Sequence, residues 1–474
     1  MRVGSSLLRR TRERLDRKVG GAARRRVIVV FAVVLALDSA DVATIGANAT
    51  QLQAGLGINK TDIGLLLTVS ALVGAVATIP AGVLVDRVNR TNLLAVAVAC
   101  WGAAMILSGI ATGYLFLLLA RVALGIVVAA ASPAIASLIG DYFPEHERGK
   151  IYGYVLSGEL LGAGFGFLIA GQFATLSWRA PFFALVPPTV GVWWLVRRLP
   201  EPERGGASRL WPRGSSASEG NTEEDETELA TTVARRSGVE PREQDVLRTD
   251  PRKMSLRAAV AYVLRIRSNV VLIIASALGY FFFTGLKGFG VEYVKKQYGV
   301  PQSAATSLVV LLGVTALAGV LLGGRAADRL LSRGRLTARI DVPGVAILLS
   351  AVLFALGLIV TQLWIAMPLL ALAAACLGAT NPPLDAARLD IMPPLLWGRA
   401  EGVRALLRDS ADAMAPLLFG FVSGSVFAGT SGLRYTFLVM LISLFAAAPI
   451  LLIAGRRTYP TDVASAAAAR PGAS

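Results

Sequence analysis

The sequence predicts an all-α membrane protein with about twelve transmembrane helices in two pseudo-symmetric six-helix bundles. Three observations carry this. The 474-residue chain is 54% hydrophobic and only 16% charged, and apolar runs of roughly 20 residues, the length that crosses a bilayer as a helix, recur along it. Arginines crowd the N-terminus (Arg9, Arg10, Arg12, Arg14, Arg24, Arg25, Arg26) and alternate loops such as 325–339, whereas the other loops carry little beyond Lys60, Arg179, Lys295, Lys296 and Arg434. That asymmetry puts both termini in the cytoplasm. Finally, the chain repeats itself. Asp141-Tyr142-Phe143-Pro144 with Gly149, Gly153 and Gly171 matches Asp390-Ile391-Met392-Pro393 with Gly398, Gly402 and Gly420 at one constant offset, and Ser132-Pro133 against Asn381-Pro382 keeps it.

In chain order, a basic leader (1–26) acts as a topology anchor. The first apolar run is too long, and its leader too extended, for a cleaved signal peptide. An N-terminal bundle (27–198) follows, with spans near 27–48, 62–85, 92–112, 115–139, 149–172 and 180–197. The segment 199–268 contains Gly214-Ser215-Ser216-Ala217-Ser218 and Glu223-Glu224-Asp225-Glu226. It cannot bury a core and reads as a largely disordered cytoplasmic linker. Near its end Leu256, Ala259, Val260, Val263 and Leu264 recur at helical spacing among arginines, the pattern of a short interfacial helix. A C-terminal bundle (269–455) adds spans near 269–289, 303–324, 341–361, 363–387, 399–428 and 433–455, and the Ala-rich tail (456–474) carries little structural signal. The net charge of +16 lies in loops and at the N-terminus, so it marks topology and not a nucleic-acid surface. Cys100 and Cys376 lie inside apolar runs, which argues against a disulfide framework.

Between the second and third spans stands Gly82-Val83-Leu84-Val85-Asp86-Arg87-Val88-Asn89-Arg90. It resembles the signature loop of the major facilitator superfamily, G-x-L-a-D-R-x-G-R, departing from it at Asn89, where Gly is usual. Gly324-Arg325-Ala326-Ala327-Asp328-Arg329 resembles a weaker second copy. The resemblance implies two bundles that rock about a central site, with Gly82, Asp86, Arg87, Arg90, Asp328 and Arg329 as gating residues. Asp86 is expected to dock at the positive N-terminal end of the eleventh span, near Arg399.

Ionisable side chains inside spans are costly and normally face a cavity or a partner. The first span carries Asp38 and Asp41, and the fourth carries Arg121 in Arg121-Val122-Ala123-Leu124-Gly125, which resembles the family's R-x-x-x-G element. Asp41 lies about seven residues, roughly 10 Å, short of the outer end of its span, and Arg121 lies about as far past the outer end of its own. The two are therefore expected to meet. A carboxylate whose proton affinity depends on its partner's position is what proton coupling requires, so Asp38, Asp41 and Arg121 are the candidate coupling residues. The alternative is a static ion pair that fastens the bundle. Glu159 in the fifth span has Arg408 as its repeat counterpart, and Arg404 and Asp412 lie one turn to either side of Arg408, with Asp409 adjacent. Glu159, Arg404, Arg408 and Asp412 are the candidate cavity residues. Gly158, Gly162, Gly164 and Gly166 resemble a degenerate exporter motif, or else serve plain packing.

Ser177-Trp178-Arg179-Ala180-Pro181-Phe182, Leu199-Pro200-Glu201-Pro202, Tyr280-Phe281-Phe282-Phe283-Thr284-Gly285 and Gln297-Tyr298-Gly299 look similar to the Spinster-like branch of the superfamily. That branch implies an amphipathic substrate. The expectation is a monomeric, multi-pass carrier of the inner (plasma) membrane that couples transport to protons and exports a lipid-like or drug-like amphiphile. Its partners would be that substrate, protons and membrane lipids, with no nucleic acid, cofactor or metal. Proton-driven uptake of a small organic acid or sugar is the alternative, and a transport-inactive receptor or scaffold is one of another class. No P-loop, G-x-S-x-G or H-E-x-x-H occurs, so neither an enzyme nor an ATP-driven pump is expected.

Overall fold

The computed structural model describes residues 21–143, 148–202, 230–247, 254–393, 396–427, 429 and 431–468. Among them every regular element is helical. The first six spans are α1 (Ala22–Ala47), α2 (Lys60–Arg87), α3 (Arg90–Gly109), α4 (Tyr114–Val128 continued by Ala131–Tyr142), α5 (Arg148–Phe173) and α6 (Ala180–Ala184 continued by Val186–Arg197). The second six begin with α7 (Arg267–Tyr298), α8 (Gln302–Ser332) and α9 (Ala338–Ile359). They end with α10 (Leu363–Gly378 and Asn381–Asp390), α11 (Trp397–Phe421 and a π turn, Val422–Val426) and α12 (Gly432–Met440, Ile442–Pro449 and a π turn, Ile450–Gly455). Nine stretches of the described residues are long and apolar enough to cross a membrane. The others, α5, α6 and α11, are charged or broken within their length.

Repeat symmetry shows in the defects as well as in the helices. α4 breaks at Ala129–Ala130 and α10 at Ala379–Thr380, equivalent places. Each break precedes a proline, Pro133 or Pro382, which removes a backbone donor from the ladder. Two compact units result, one of 21–51 and 72–202, the other of 52–71 and the described residues from 230 on. In both, the usual sorting of side chains is inverted. Trp364 is 89% exposed and Ile442 69%, while Arg90, Arg121 and Arg339 are at most 1% exposed. Apolar surface faces outward because hydrocarbon is its solvent, and charge is driven inward to partners.

Several boundaries differ from expectation. α7 runs to Tyr298, not to near 289, and stops where Gly299 adopts φ 64°, a left-handed cap that favours glycine. α8 runs through Gly324–Arg329, so the second signature copy is helix and not a turn. The first copy behaves alike: α2 continues to Arg87, and the turn shrinks to Val88 and Asn89. Asn89, the departure from the family pattern, caps α3 by accepting from the Asn92 amide at 2.8 Å.

The tail, which carried little signal, is helical from Arg456 to Ala468. Side-chain hydrogen bonds hold it: Tyr459 donates to Asp390, the Ser268 amide donates to Asp462 at 2.8 Å, and the Arg242 amide donates to Ser465 at 2.8 Å. Arg242 belongs to the linker, so the linker meets the tail at Arg242 and the turn that follows it, Glu243–Asp245. Linker residues 203–229 lie outside the described residues. The interfacial helix is present as Leu256–Arg265, with Ser255 accepting from the Ala258 amide as its cap.

Candidate functional site

In the first unit, glycine spacing positions the key charges. A Cβ built on Gly158, Gly162 or Gly166 of α5 would lie 2.0, 2.0 or 2.2 Å from the carbonyl oxygens of Ala32, Ala36 or Ala40 of α1. The two backbones therefore touch along three turns, and Thr44 adds a hydrogen bond to the Gly166 carbonyl at 3.3 Å. Gly164 meets nothing within 4 Å. The glycines of this run that touch α1 pack helices together, as small residues do in membranes.

So placed, α1 turns Asp41 toward α4. Arg121 donates from Nη1 to both Asp41 carboxylate oxygens at 2.8 and 2.7 Å, and from Nη2 to Ser108 of α3 at 2.6 Å. The Phe182 ring of α6 lies 5.4 Å from the guanidinium carbon. Arg121 and Asp41 are 0% and 3% exposed. Asp38, one turn earlier, is half-buried, and Glu159 of α5 is exposed. Four helices thus converge on one buried, hydrogen-bonded ion pair.

A second network closes the basic end of this unit. Arg90 donates to Glu201 at 2.8 Å, to Ser137 at 2.9 Å, to the Pro202 carbonyl at 2.9 Å and to Asp141. Thr91 donates to the other Glu201 oxygen from its amide at 2.8 Å and its hydroxyl at 2.7 Å. Burial pushes the Glu201 carboxyl up, but the bonds from Arg90 and Thr91 outweigh it and hold it below its ordinary value. Arg90 is therefore a buried fastener of α3, α4 and the chain after α6, and not only a surface charge that fixes the turn. Arg87 is exposed. The side chains of Gly82, Asp86, Arg399 and Asp409 lie outside the described residues, and with them the expected docking of Asp86.

The second unit repeats the Arg90 arrangement. Arg339, the counterpart of Arg90, donates to both oxygens of Asp390, the counterpart of Asp141, at 2.6 and 2.8 Å. Asp328 stands 3.4 Å from Arg339, while Arg329 is exposed. Deeper in this unit, Arg404 of α11 is buried, 3.7 Å from Asp385 of α10, which is also 3.5 Å from Arg388. Arg408 lies 4.9 Å from the centre of the Tyr280 ring of α7. Asp412 accepts from Thr284. Tyr280 and Thr284 entered the sequence reading only within a branch motif and not as site residues, and Asp385 and Arg388 were not singled out, although the latter two, three apart in an apolar run, carried the same signal as Arg404 and Arg408. Buried Glu292 is another: it accepts from Lys296 at 2.6 Å and Gln53 at 3.0 Å.

Among the described residues, twelve helical spans in two repeats, each burying an arginine–carboxylate pair, define a helical membrane protein. The chain belongs to the Major Facilitator Superfamily, whose family model matches residues 31–416. It is accordingly a multi-pass membrane protein of a transporter family and not of an enzyme family. It is 30% identical over 176 residues to a D-galactonate transporter of Escherichia coli O6:H1, covering 37% of this chain and 40% of that one. It is 28% identical over 132 residues to the quinolone resistance protein NorA of Staphylococcus aureus, covering 27% and 33%. The chain thus spans less than half the length of these curated relatives. Its fold is similar to the crystal structure of a bacterial homologue of the human lysosomal transporter Spinster, inward-facing and occupied, with TM-score 0.73 and 19% identity over 93% of this chain and 98% of that one.

Proposed function

We propose that this carrier couples transport to protons through Asp41, with Arg121 as its switchable partner, and that its substrate presents an anionic head. The buried Asp41–Arg121 pair carries the proposal. Taking two charges out of water costs several kcal/mol per ion before their attraction repays it, and an apolar pair would fasten four helices at least as well. An arrangement so costly is justified where one partner must gain and lose a proton. When Asp41 is protonated, Arg121 is left to Ser108, Phe182 and any anion that reaches it, so the Asp41 carboxylate and a substrate anion compete for one guanidinium and proton uptake favours anion binding.

Two substrate readings rest on different observations. Likeness of fold to the Spinster homologue and partial similarity to NorA favour export of an amphiphile. Partial similarity to the D-galactonate transporter, and the three arginines Arg388, Arg404 and Arg408 set against Asp385 and Asp412 in the second unit, favour an organic acid. An anionic head is common to both, with Arg404 and Arg408 its principal contacts. Both termini are assigned to the cytoplasm on the arginine asymmetry.

The test is flux in proteoliposomes under an imposed pH gradient, with a sugar acid, its neutral sugar, and single-chain amphiphiles carrying anionic, neutral or cationic heads. Asp41→Asn should abolish gradient-driven flux and retain binding of the transported anion, while Asp38→Asn should be milder. Wild-type flux in Asp41→Asn would remove the proton role. Equal flux of neutral and anionic homologues would remove the anionic head.

A further inference from the structure

Among the described residues of the second unit, Lys287 of α7 belongs to none of the networks of Arg339, Arg404 or Glu292. It stands half-buried in the apolar run Tyr280–Gly290. Lys295 and Lys296, in the last turn of α7, suit the headgroup level. Lys287 lies eight residues deeper, roughly 12 Å, about twice what a lysine stem spans by snorkelling. A charge at that depth is costly and faces a cavity or a partner. Its contact is with an aromatic face: Nζ lies 5.1 Å from the Phe283 ring centre, which attracts a cation without neutralising it. Among the described residues it enters no ion pair.

Helical spacing gives its direction. Tyr280, Phe283, Thr284 and Lys287 recur at i, i+3, i+4 and i+7 and so share one face of α7. Two of them meet charges of α11: Arg408 lies over Tyr280, and Thr284 donates to Asp412. The opposite face, with Phe282, Leu286 and Gly290, packs against Phe354 and Phe437. On the flank, a Cβ built on Gly288 would lie 3.2 Å from Leu67 of α2. Lys287 therefore continues the polar face of α7 past the level of Arg408, seven residues or roughly 10 Å further along the span. A partly accessible ammonium cushioned on a ring has an anion as its complement.

We infer that Lys287 is a second anion-binding residue of the transport path, taking the anionic head of the substrate from Arg408 towards the Tyr298 end of α7. This rests on the reading that the substrate carries such a head, and adds where the head goes. Two cations about 10 Å apart on one face let an anion exchange partners along the span without losing its counter-charge. The residue types suit the two stations. A guanidinium grips a carboxylate or phosphate in a fixed fork, whereas an ammonium is a point charge on a flexible stem and can follow a moving head.

Two measurements on the full chain test this. In proteoliposomes offered D-galactonate with D-galactose, or dodecyl phosphate with dodecyl glucoside, Lys287→Gln should raise the half-saturating concentration of the transported anion at least tenfold. Lys287→Arg should change it by less than about threefold. Which anion is carried tells a soluble acid from an amphiphile. Equal flux of the neutral homologues in the wild type would remove the anionic head, and this inference with it. Anion selectivity in the wild type with an unchanged Lys287→Gln would remove this inference alone. Should Lys287→Gln not fold, labelling of the wild type decides. Reductive alkylation in detergent with 4-formylbenzenesulfonate or neutral 4-formylbenzamide, mapped by mass spectrometry, reads Lys287 against Lys296. The sulfonate should be favoured at Lys287 at least fivefold more than at Lys296. No labelling of Lys287, or equal preference at the two lysines, would overturn the site.

Discussion

At the scale of single residues, the buried arginines decide behaviour. Glu201→Gln should leave Arg90 with a weaker partner and cost about 1–3 kcal/mol of stability at neutral pH. The sign of its pH dependence is fixed by the lowered carboxyl. A group held below its ordinary value stabilises fully above that value, about 4.3 for glutamate, and loses the contribution as pH falls through the folded value. The gap between wild type and variant, followed by thermal melting in detergent, should therefore be constant from pH 8 to about 5 and close below it. A gap that widened on acidification would contradict the assigned shift. Loss of either partner of the Arg121–Asp41 pair differs in kind, since it strands a charge inside the bundle. Arg121→Ala should cost about 3–5 kcal/mol, more than Asp41→Asn, which keeps a hydrogen-bonding partner in place.

Whole helices respond to the glycine contacts. Gly162→Ala would thrust a methyl group to 2.0 Å from the Ala36 carbonyl oxygen, so the helices must part; overpacking of this sort costs about 1–3 kcal/mol. Gly164→Ala, two residues on and in open space, should be neutral or gain up to about 1 kcal/mol from helix propensity. Melting temperatures of the two variants should move in opposite senses, and equal shifts would mean that α1 and α5 are not in backbone contact. Element boundaries show what sequence periodicity conveys and what it omits. Apolar runs located every span, because hydropathy is a local property. They missed the polar ends of α7 and α8, which continue as helix until Gly299 and Gly334 supply the stop. They also missed the terminal helix, whose order comes from Tyr459, Asp462 and Ser465 bonding to residues far away in sequence.

On the scale of the molecule, the twelve-span plan was legible because duplication printed the same landmarks twice. The Asp41–Arg121 contact was legible too, since depth along a span can be counted in residues. The Arg90 and Arg339 networks were not. They assemble at loop ends, where rise per residue gives no guide and where each arginine looks like one more topology signal. Orientation is open to direct measurement. In a chain with Cys100 and Cys376 replaced, a cysteine at Gly113, between α3 and α4, should react with a membrane-impermeant maleimide on intact cells. One at Arg333, between α8 and α9, should react only after permeabilisation. The reverse pattern would invert the proposed topology.

The seam between α1 and α5 also fixes how these helices can travel. With no side-chain layer between them, neither can slide or roll against the other without driving a carbonyl into a Cα. They form one stiff two-stranded strut, bearing Asp38 and Asp41 on one strand and Glu159 on the other. Any force applied at Asp41 must then reappear as displacement of Glu159, because the two backbones are in direct contact.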